Sequence, residues 1–290
     1  MSDTRKTVFI TGCSGIGIGN HLARVFHEQG YRVFATARNA DSLNTLASKG
    51  IEAMSLIVDD HESVLACFED LKRRLNGKGL DYLVHNAGRN YTVPATDLDL
   101  EEIQQTYATN LFAVMDINQT FLELLLQAKG TIVNIGSVAG IMPFIFGSVY
   151  NSSKAALHSY SDCLRVELSP WNIHVVTVVT GGVKSNIART DRQLKPESLW
   201  KGYEAQYQRR LKTSQERGQD TTEYARDVFH GVTTSRGWFW NRNEVWAGGG
   251  AGLVQFLRFV DRWTPGGIWK FVMLRLAGVH TAGTTSKKEI

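Results

Sequence analysis

Cysteine is scarce and scattered in this chain. Cys13, Cys67 and Cys163 lie too far apart for a disulfide framework and fit no metal-ligand spacing, so the simple inference is a reducing compartment without a metal site. No run of some eighteen uncharged apolar residues is present, so no spanning helix is expected. The N-terminus lacks a signal-peptide pattern: Lys6 leads straight into Thr7-Val8-Phe9-Ile10, a short strand. There is no concentrated basic stripe of the kind a nucleic-acid binder carries. The net charge of +4, from 32 basic and 28 acidic residues, is a modest surplus that suits an anionic cofactor or a phosphorylated substrate. Internal repeats and linker-bound modules are also missing. What remains is 290 residues, 43% apolar and 21% charged, enough for one large core.

The first two-thirds alternates short apolar runs with helical patterns, as a parallel α/β sheet requires. Strands are expected at 7–11, 31–36, 53–58, 80–85, 130–136 and 173–179. Their Val, Ile and Leu content without strict alternation suits strands covered on both faces. Helices are expected at 18–29, 40–48, 61–75, 99–126 and 149–169, with Pro170 stopping the last. From about 186 to 230 the composition turns to Lys, Arg, Gln and Glu, interrupted by Trp200, Tyr203 and Tyr207 at i, i+3, i+7. These rings would line one face of a helix that either packs on the body or covers a site. Residues 232–247 give no clear pattern. Segment 250–280 mixes Phe256, Phe259, Trp263, Trp269 and Phe271 with Arg258, Arg262, Lys270 and Arg275, broken at Pro265-Gly266-Gly267. That basic amphipathic pattern suits core packing, a subunit contact or attachment to a membrane surface. The expected organisation is one domain over 1–290, with a substrate-covering segment near 186–230 and an amphipathic extension near 250–280.

Two constellations carry chemistry. Between the first strand and the first helix lies Thr11-Gly12-Cys13-Ser14-Gly15-Ile16-Gly17-Ile18-Gly19. Glycines there tolerate unusual dihedrals and let backbone approach a ligand, and the free amides at a helix start favour a pyrophosphate. A mononucleotide P-loop is disfavoured because no Gly-Lys-Ser/Thr ending follows. At the end of the second strand Arg38 stands where an acid would otherwise bind the adenosine ribose, which favours NADPH over NADH; the alternative is an arginine that stacks on adenine or points to solvent. The second constellation is Tyr150 and Lys154, four apart on one helix face, with Ser137 thirteen residues before the tyrosine. An ammonium beside a phenol favours phenolate, lowering a pKa ordinarily near ~10 and equipping the pair for carbonyl–alcohol proton transfer.

These residues together resemble the short-chain dehydrogenase/reductase family over about residues 5–190. The motifs are Thr11-Gly12 with Gly17 and Gly19, Asn86-Ala87-Gly88, Asn110, Ser137, and Tyr150 with Lys154. A finer resemblance, to the fungal NADPH-dependent subgroup that includes the 1-acyldihydroxyacetone-phosphate reductases, rests on Thr11 to Ser14, Thr36-Ala37-Arg38, Thr180 to Asn186 and Val245 to Gly248. The family implies a doubly wound Rossmann-type sheet of seven parallel strands with helices on both faces, and a dimer or tetramer built through the 99–126 and 149–169 helices. It implies cofactor contacts from Gly12, Cys13, Ser14, Gly17, Ile18, Gly19, Arg38, Val58, Asn86, Ala87, Gly88, Asn110, Tyr150, Lys154, Val183 and Ser185. It also implies that Ser137 holds the substrate oxygen, Lys154 binds the nicotinamide ribose, and Asn110 kinks its helix and holds a water leading from Lys154 to solvent.

Three departures stand out. Four residues separate Gly12 from Gly17 where three are usual, so the turn should bulge. Ile57 stands where an Asp commonly contacts adenine, leaving Asp59 or Asp60 as substitutes. Thr180 replaces the usual Pro. The expected activity is NADPH-dependent reduction of a hydrophobic ketone to a secondary alcohol, with alcohol oxidation and a non-redox scaffold or cyclisation protein as the competing readings. Ile141, Met142, Phe144, Ile145 and Phe146 make an apolar mouth, and Trp238 through Trp240 are further candidates for substrate contact. Arg189, Arg192, Lys195 and Lys201 are candidates for a substrate phosphate or carboxylate. His158 and Asp162 share the Tyr150 helix face but are read as structural. The expected location is cytoplasmic, or peripheral to endoplasmic reticulum or lipid droplets if the C-terminal segment binds membrane.

Overall fold

A computed structural model describes residues 3–185, 187, 189–234, 243–261 and 268–279. Seven strands, β1 (Thr7–Ile10), β2 (Arg32–Ala37), β3 (Glu52–Ser55), β4 (Tyr82–His85), β5 (Thr131–Ile135), β6 (His174–Thr180) and β7 (Glu244–Ala247), form one sheet in the order β3-β2-β1-β4-β5-β6-β7. Every neighbouring pair is parallel. The six strands expected from sequence are present, and the seventh lies in the stretch that gave no pattern.

The strands alternate apolar side chains to both faces, which explains their unbroken hydrophobic runs. Val8 and Ile10, Val33 and Ala35, and Val176 and Val178 face one core. Phe9, Phe34, Leu83, Ile132 and Val175 face the other. The first face is covered by α1 (Ile18–Glu28), the one-turn α2 (Asn44–Ala47) and α9 (Thr221–Thr233). The second is covered by α3 (His61–Leu75), α5 (Ala113–Thr120), α6 (Leu122–Ala128) and α7 (Ser148–Leu168).

The helix expected at 99–126 is interrupted. After α4 (Leu100–Tyr107) comes a π-helical turn, Ala108–Phe112, and a second break at Phe121 separates α5 from α6. Asn110 sits in the middle of the π turn, where such turns commonly mark a functional position. The 40–48 segment is a 3₁₀ turn followed by the short α2 rather than one helix.

The segment after β6 contains α8 (Glu204–Glu216), then α9. Trp200 and Tyr203 precede α8 instead of sharing its face, while Tyr207 is fully buried and its hydroxyl donates to Thr92 O at 3.0 Å. Helices α10 (Ala251–Asp261) and α11 (Ile268–Ala277) bring Val254 and Met273 against Val138, Met142 and Val179. The C-terminal segment therefore packs directly beside the residues that follow Ser137. Trp263 and the Pro265-Gly266-Gly267 break lie outside the described residues, as do Trp238 through Trp240.

Candidate active site

The order of strands reverses between β1 and β4, and the loops leaving these two strands diverge there to form a crevice. Thr11 ties the two together: its hydroxyl accepts from the amides of Asn86 and Ala87, both at 3.0 Å. Asn86 returns the contact, its Nδ2 donating to Thr11 O at 2.8 Å and Gly12 O at 2.9 Å. Gly12 has φ +72°, and a Cβ there would come within 2.8 Å of Ala87 Cα, so both conformation and space demand glycine. The extra residue of the loop is absorbed in a turn at Gly15 and Ile16, with Gly15 at φ +63° and Ile16 largely exposed.

Three observations fit an anionic dinucleotide. Gly17 is the N-cap of α1, with no side-chain cap and no acid in the first turn, so the first amides of the helix, ahead of Asn20, are open to an anion. A Cβ on Gly17 would meet only Ser14 O at 3.8 Å, so its bare hydrogen leaves room rather than relieving a clash. Arg38, just beyond β2, is exposed and pairs with no carboxylate among the described residues. Four of the expected cofactor residues have side chains committed to the protein. Cys13 is fully buried, with Sγ 3.3 Å from Ile10 O and its thiol pushed up to about 12 by burial, and its backbone N–H donates to Thr36 O at 2.7 Å. The Val183 side chain belongs to the core on the α9 face. Val58 packs against the opposite core, and Ser185 is buried with its carbonyl accepting from Gln215 Nε2 at 2.7 Å.

At the adenine side, Asp60 is committed as the N-cap of α3, accepting from the amides of Glu62 and Ser63. Asp59 accepts from Thr109 Oγ1 at 3.3 Å and faces the π turn. Thr180, in place of the usual proline, hydrogen-bonds the buried Tyr224 hydroxyl at 2.7 Å. Gly181 then packs against Gly248 and Gly249 too closely for any side chain.

Ser137 leaves the end of β5, and Tyr150 and Lys154 project from the first turns of α7. The Ser137 amide donates to His158 Nε2 at 3.2 Å, which requires that nitrogen to be unprotonated. Burial pushes His158 down to about 4, keeping it neutral, and Lys154 adds to the effect. Gly136 and Gly140 make room for that ring, since a Cβ on Gly140 would lie 2.9 Å from His158 Cε1. His158 is thus bound to the backbone of the serine, a role that its helical spacing from Tyr150 did not reveal. Phe146 adopts φ +63°, and its carbonyl accepts from Val93 at 2.7 Å while its ring meets Trp200 and Tyr207 edge-on. This strained residue fixes the loop between Ser137 and Tyr150.

The electrostatics differ from the simple tyrosine–lysine pair. Burial raises the Tyr150 phenol above its ordinary value, and the Ser137 hydroxyl and the Arg210 charge only partly oppose it. Lys154 Nζ donates to Ile135 O at 2.8 Å, and burial pushes the ammonium down to about 8. The expected lowering of the phenol is therefore reversed, because desolvation outweighs the Ser137 hydrogen bond and the Arg210 charge. Asn110 is held by the protein: Oδ1 accepts from Arg89 N at 2.8 Å, and Nδ2 donates to Arg89 O and Ser153 Oγ at 3.0 Å each. It braces the loop following Gly88 against α7.

A cavity of about 700 Å³ is lined by Pro94, Thr96, Ile141, Phe144, Phe146, Trp200 and the Asn151 side of α7. Ser137, Tyr150 and Lys154 are not among its walls, so it adjoins the reactive groups rather than containing them. Of the expected anion-binding cations, Arg192 pairs with Glu102 at 2.8 Å and lies over the Tyr91 ring at 4.7 Å. Arg89 shares that carboxylate at 2.7 Å, Arg189 stands 3.7 Å from it, and Lys201 pairs with Glu204 at 3.2 Å. Lys195 is exposed.

The family model described as short chain dehydrogenase matches residues 6–195. A short-chain dehydrogenase of Penicillium ochrochloron, ptmH, is 35% identical over 95% of this chain and 99% of its own length. The NADPH-dependent 1-acyldihydroxyacetone phosphate reductase of Schizosaccharomyces pombe is 42% identical over 64% of this chain, a match spanning 62% of the yeast protein. Among solved structures, a short-chain dehydrogenase from Streptomyces avermitilis superposes with TM-score 0.79 at 25% identity, covering 93% of this chain and 98% of that one. The NADPH-bound carbonyl reductase from chicken fatty liver gives TM-score 0.59 at 28% identity over 63% of this chain and 82% of its own. The chain belongs to the short-chain dehydrogenase family. It is an oxidoreductase of that class.

Proposed function

We propose that this protein is an NADPH-dependent reductase of hydrophobic ketones, producing secondary alcohols. The observation that carries the reading is the gathering of Ser137, Tyr150 and Lys154 beside the β1–β4 crevice, with the Ser137 hydroxyl hydrogen-bonded to the phenol. A phenol is protonated at neutral pH, so Tyr150 is equipped to donate the proton that reduction of a carbonyl requires. Gly12, Gly17, the start of α1 and Arg38 would hold the phosphates of NADPH, and Lys154 its nicotinamide ribose. NADPH supplies the hydride for the carbonyl carbon when bound. Tyr150 donates its proton to the carbonyl oxygen, and the Ser137 hydroxyl hydrogen-bonds that same oxygen as charge develops on it. Lys154, an ammonium below about pH 8, carries the positive charge of the site.

The NADP(H)-binding relatives and the exposed Arg38, which pairs with no carboxylate among the described residues, support this cofactor. The apolar Ile141–Phe146 loop, packed between α8, α10 and α11, supports a hydrophobic substrate. An acylated three-carbon phosphate and a fungal secondary-metabolite ketone both satisfy that description. The whole chain works as one unit, because the C-terminal helices pack on the residues following Ser137. It assembles as a homo-oligomer through the α4–α5 and α7 surfaces, where Leu100, Phe112, Met115 and Val166 are exposed. Among the described residues no helix is long and apolar enough to cross a membrane. Exposed Leu253, Phe256 and Phe259 on α10 support contact with a lipid surface. The test is loss of NADPH absorbance with a panel of long-chain and cyclic ketones. Turnover that falls by roughly 10²–10⁴-fold in Tyr150→Phe supports the reading. Equal inertness of both proteins, with a non-redox product still formed, refutes it.

A further inference from the structure

Arg210 is out of place by every ordinary rule of helix patterning. It stands on α8 between Tyr207 and Leu211, at i+3 and i−1, and those two residues are 0% and 5% exposed. An arginine on the inward face of a helix is costly unless its charge is paired. Yet the ion pairs among the described residues include none to Arg210, and its Nε is buried without a hydrogen-bond partner. Its guanidinium lies 4.8 Å over the Phe144 ring, in the loop between Ser137 and Tyr150. It is also the cation whose charge acts on the Tyr150 phenol. The neighbouring cations are spent differently: Arg89 and Arg192 share Glu102, and Lys201 holds Glu204.

We propose that Arg210 anchors an anionic oxygen-acid group of the substrate, a phosphate or a carboxylate, close to the carbonyl that Tyr150 protonates. The proposal deepens the ketone-reductase reading and rests on it for the identity of the reacting group. A planar guanidinium stacked on an aromatic ring presents its outward N–H groups in a fixed fork, the arrangement suited to a bidentate acid. The same cation stabilises the negative charge that grows on the carbonyl oxygen. Phe144 orients the fork, and the apolar loop around it accepts the hydrocarbon part of the ligand. The substrate class is therefore an amphiphile with a ketone and an acid on one short segment and an apolar tail beyond.

Calorimetric titration of the NADP⁺-saturated protein with octyl phosphate, octanoate and 1-octanol tests this directly. Either or both acids should bind more tightly than octanol, and whichever of the two binds better identifies the group. Arg210→Gln should weaken the better acid by roughly 30-fold or more, as expected for removing one partner of a buried charge pair. Arg210→Lys, which keeps the charge but not the fork, should recover part of that loss and guards against a folding defect. In turnover assays the ratio of kcat/KM for an acid-bearing ketone over its neutral ester should fall by a similar factor in Arg210→Gln. Equal affinity of the wild type for acids and octanol overturns the proposal. So does an equal loss for acid and alcohol, or a matching loss of NADP⁺ affinity, which would give Arg210 to the cofactor. If the acids bind through Arg210 while no ketone is reduced, the anchor stands and the reductase reading falls.

Discussion

Replacing His158 with leucine removes the acceptor for the Ser137 amide while keeping an apolar side chain in the space bounded by Gly136 and Gly140. Ser137 is only 8% exposed, so its N–H would be left without a partner away from water. An unsatisfied buried donor costs about 1–3 kcal/mol, which lowers the melting temperature by about 2–4 °C per kcal/mol in a chain of this size. The serine hydroxyl hangs on that backbone. Complete loss of a comparable oxygen-stabilising donor costs about 10²–10³ in kcat, and a displaced hydroxyl should cost about 10–100-fold. The effect should fall on kcat, with NADP⁺ affinity unchanged, because the cofactor loops at Gly12 and Asn86 are bonded to one another and not to His158. His158→Gln, which offers an acceptor in the same region, should recover much of the rate. Thermal melts, cofactor titrations and ketone kinetics on the two variants decide the matter. A leucine variant that melts earlier but turns over normally would show that the imidazole is packing alone, and equal rates for both variants would remove the hydrogen bond from the explanation.

Arg38→Ala should reduce the preference for NADPH over NADH by about 10–100-fold, since a charge-assisted contact to the ribose phosphate would be lost; an unchanged ratio of cofactor affinities removes Arg38 from that site. His85 and His158 are both pushed by burial from 6.5 to about 4. Between those values the unfolded chain binds more protons, so the stability contribution is full above pH 6.5 and is lost as pH falls through 4. Each histidine accounts for up to about 3 kcal/mol, and urea titrations across this range should show a slope that shrinks in His158→Gln. An identical slope in the variant would refute the assignment. Phe112→Asp, on an exposed surface of the π turn, should shift the light-scattering mass toward the monomer; an unchanged assembly would place the subunit contact elsewhere.

Much of this architecture was legible because each strand is buried on both faces and so had to be apolar throughout. Val8, Phe9 and Ile10 read as a strand whichever core each one enters. β7 escaped because it is an edge strand paired only to β6, with Glu244 and Trp246 half-buried and turn residues on its far side. The interruption at Asn110 was expected only from the family resemblance, and the bracing of the Arg89 backbone is a long-range contact without local signature. The reversed direction of the Tyr150 shift was invisible for a different reason. Spacing shows that a lysine is near, whereas desolvation depends on the packing of segments distant in sequence around α7. Arg210 did carry a signal, a charge at i+3 from a tyrosine on a buried stripe. Only the fold reveals that it lies over Phe144 and that its charge acts on Tyr150.

Deuterium transfer from C4-labelled NADPH to a hydrophobic ketone tests the central claim most directly. The account predicts one deuterium on the new carbinol carbon, delivered to a single face, with transfer reduced by at least about 10²-fold in Tyr150→Phe. Product carrying no label, or labelled equally well by the phenylalanine variant, would contradict it.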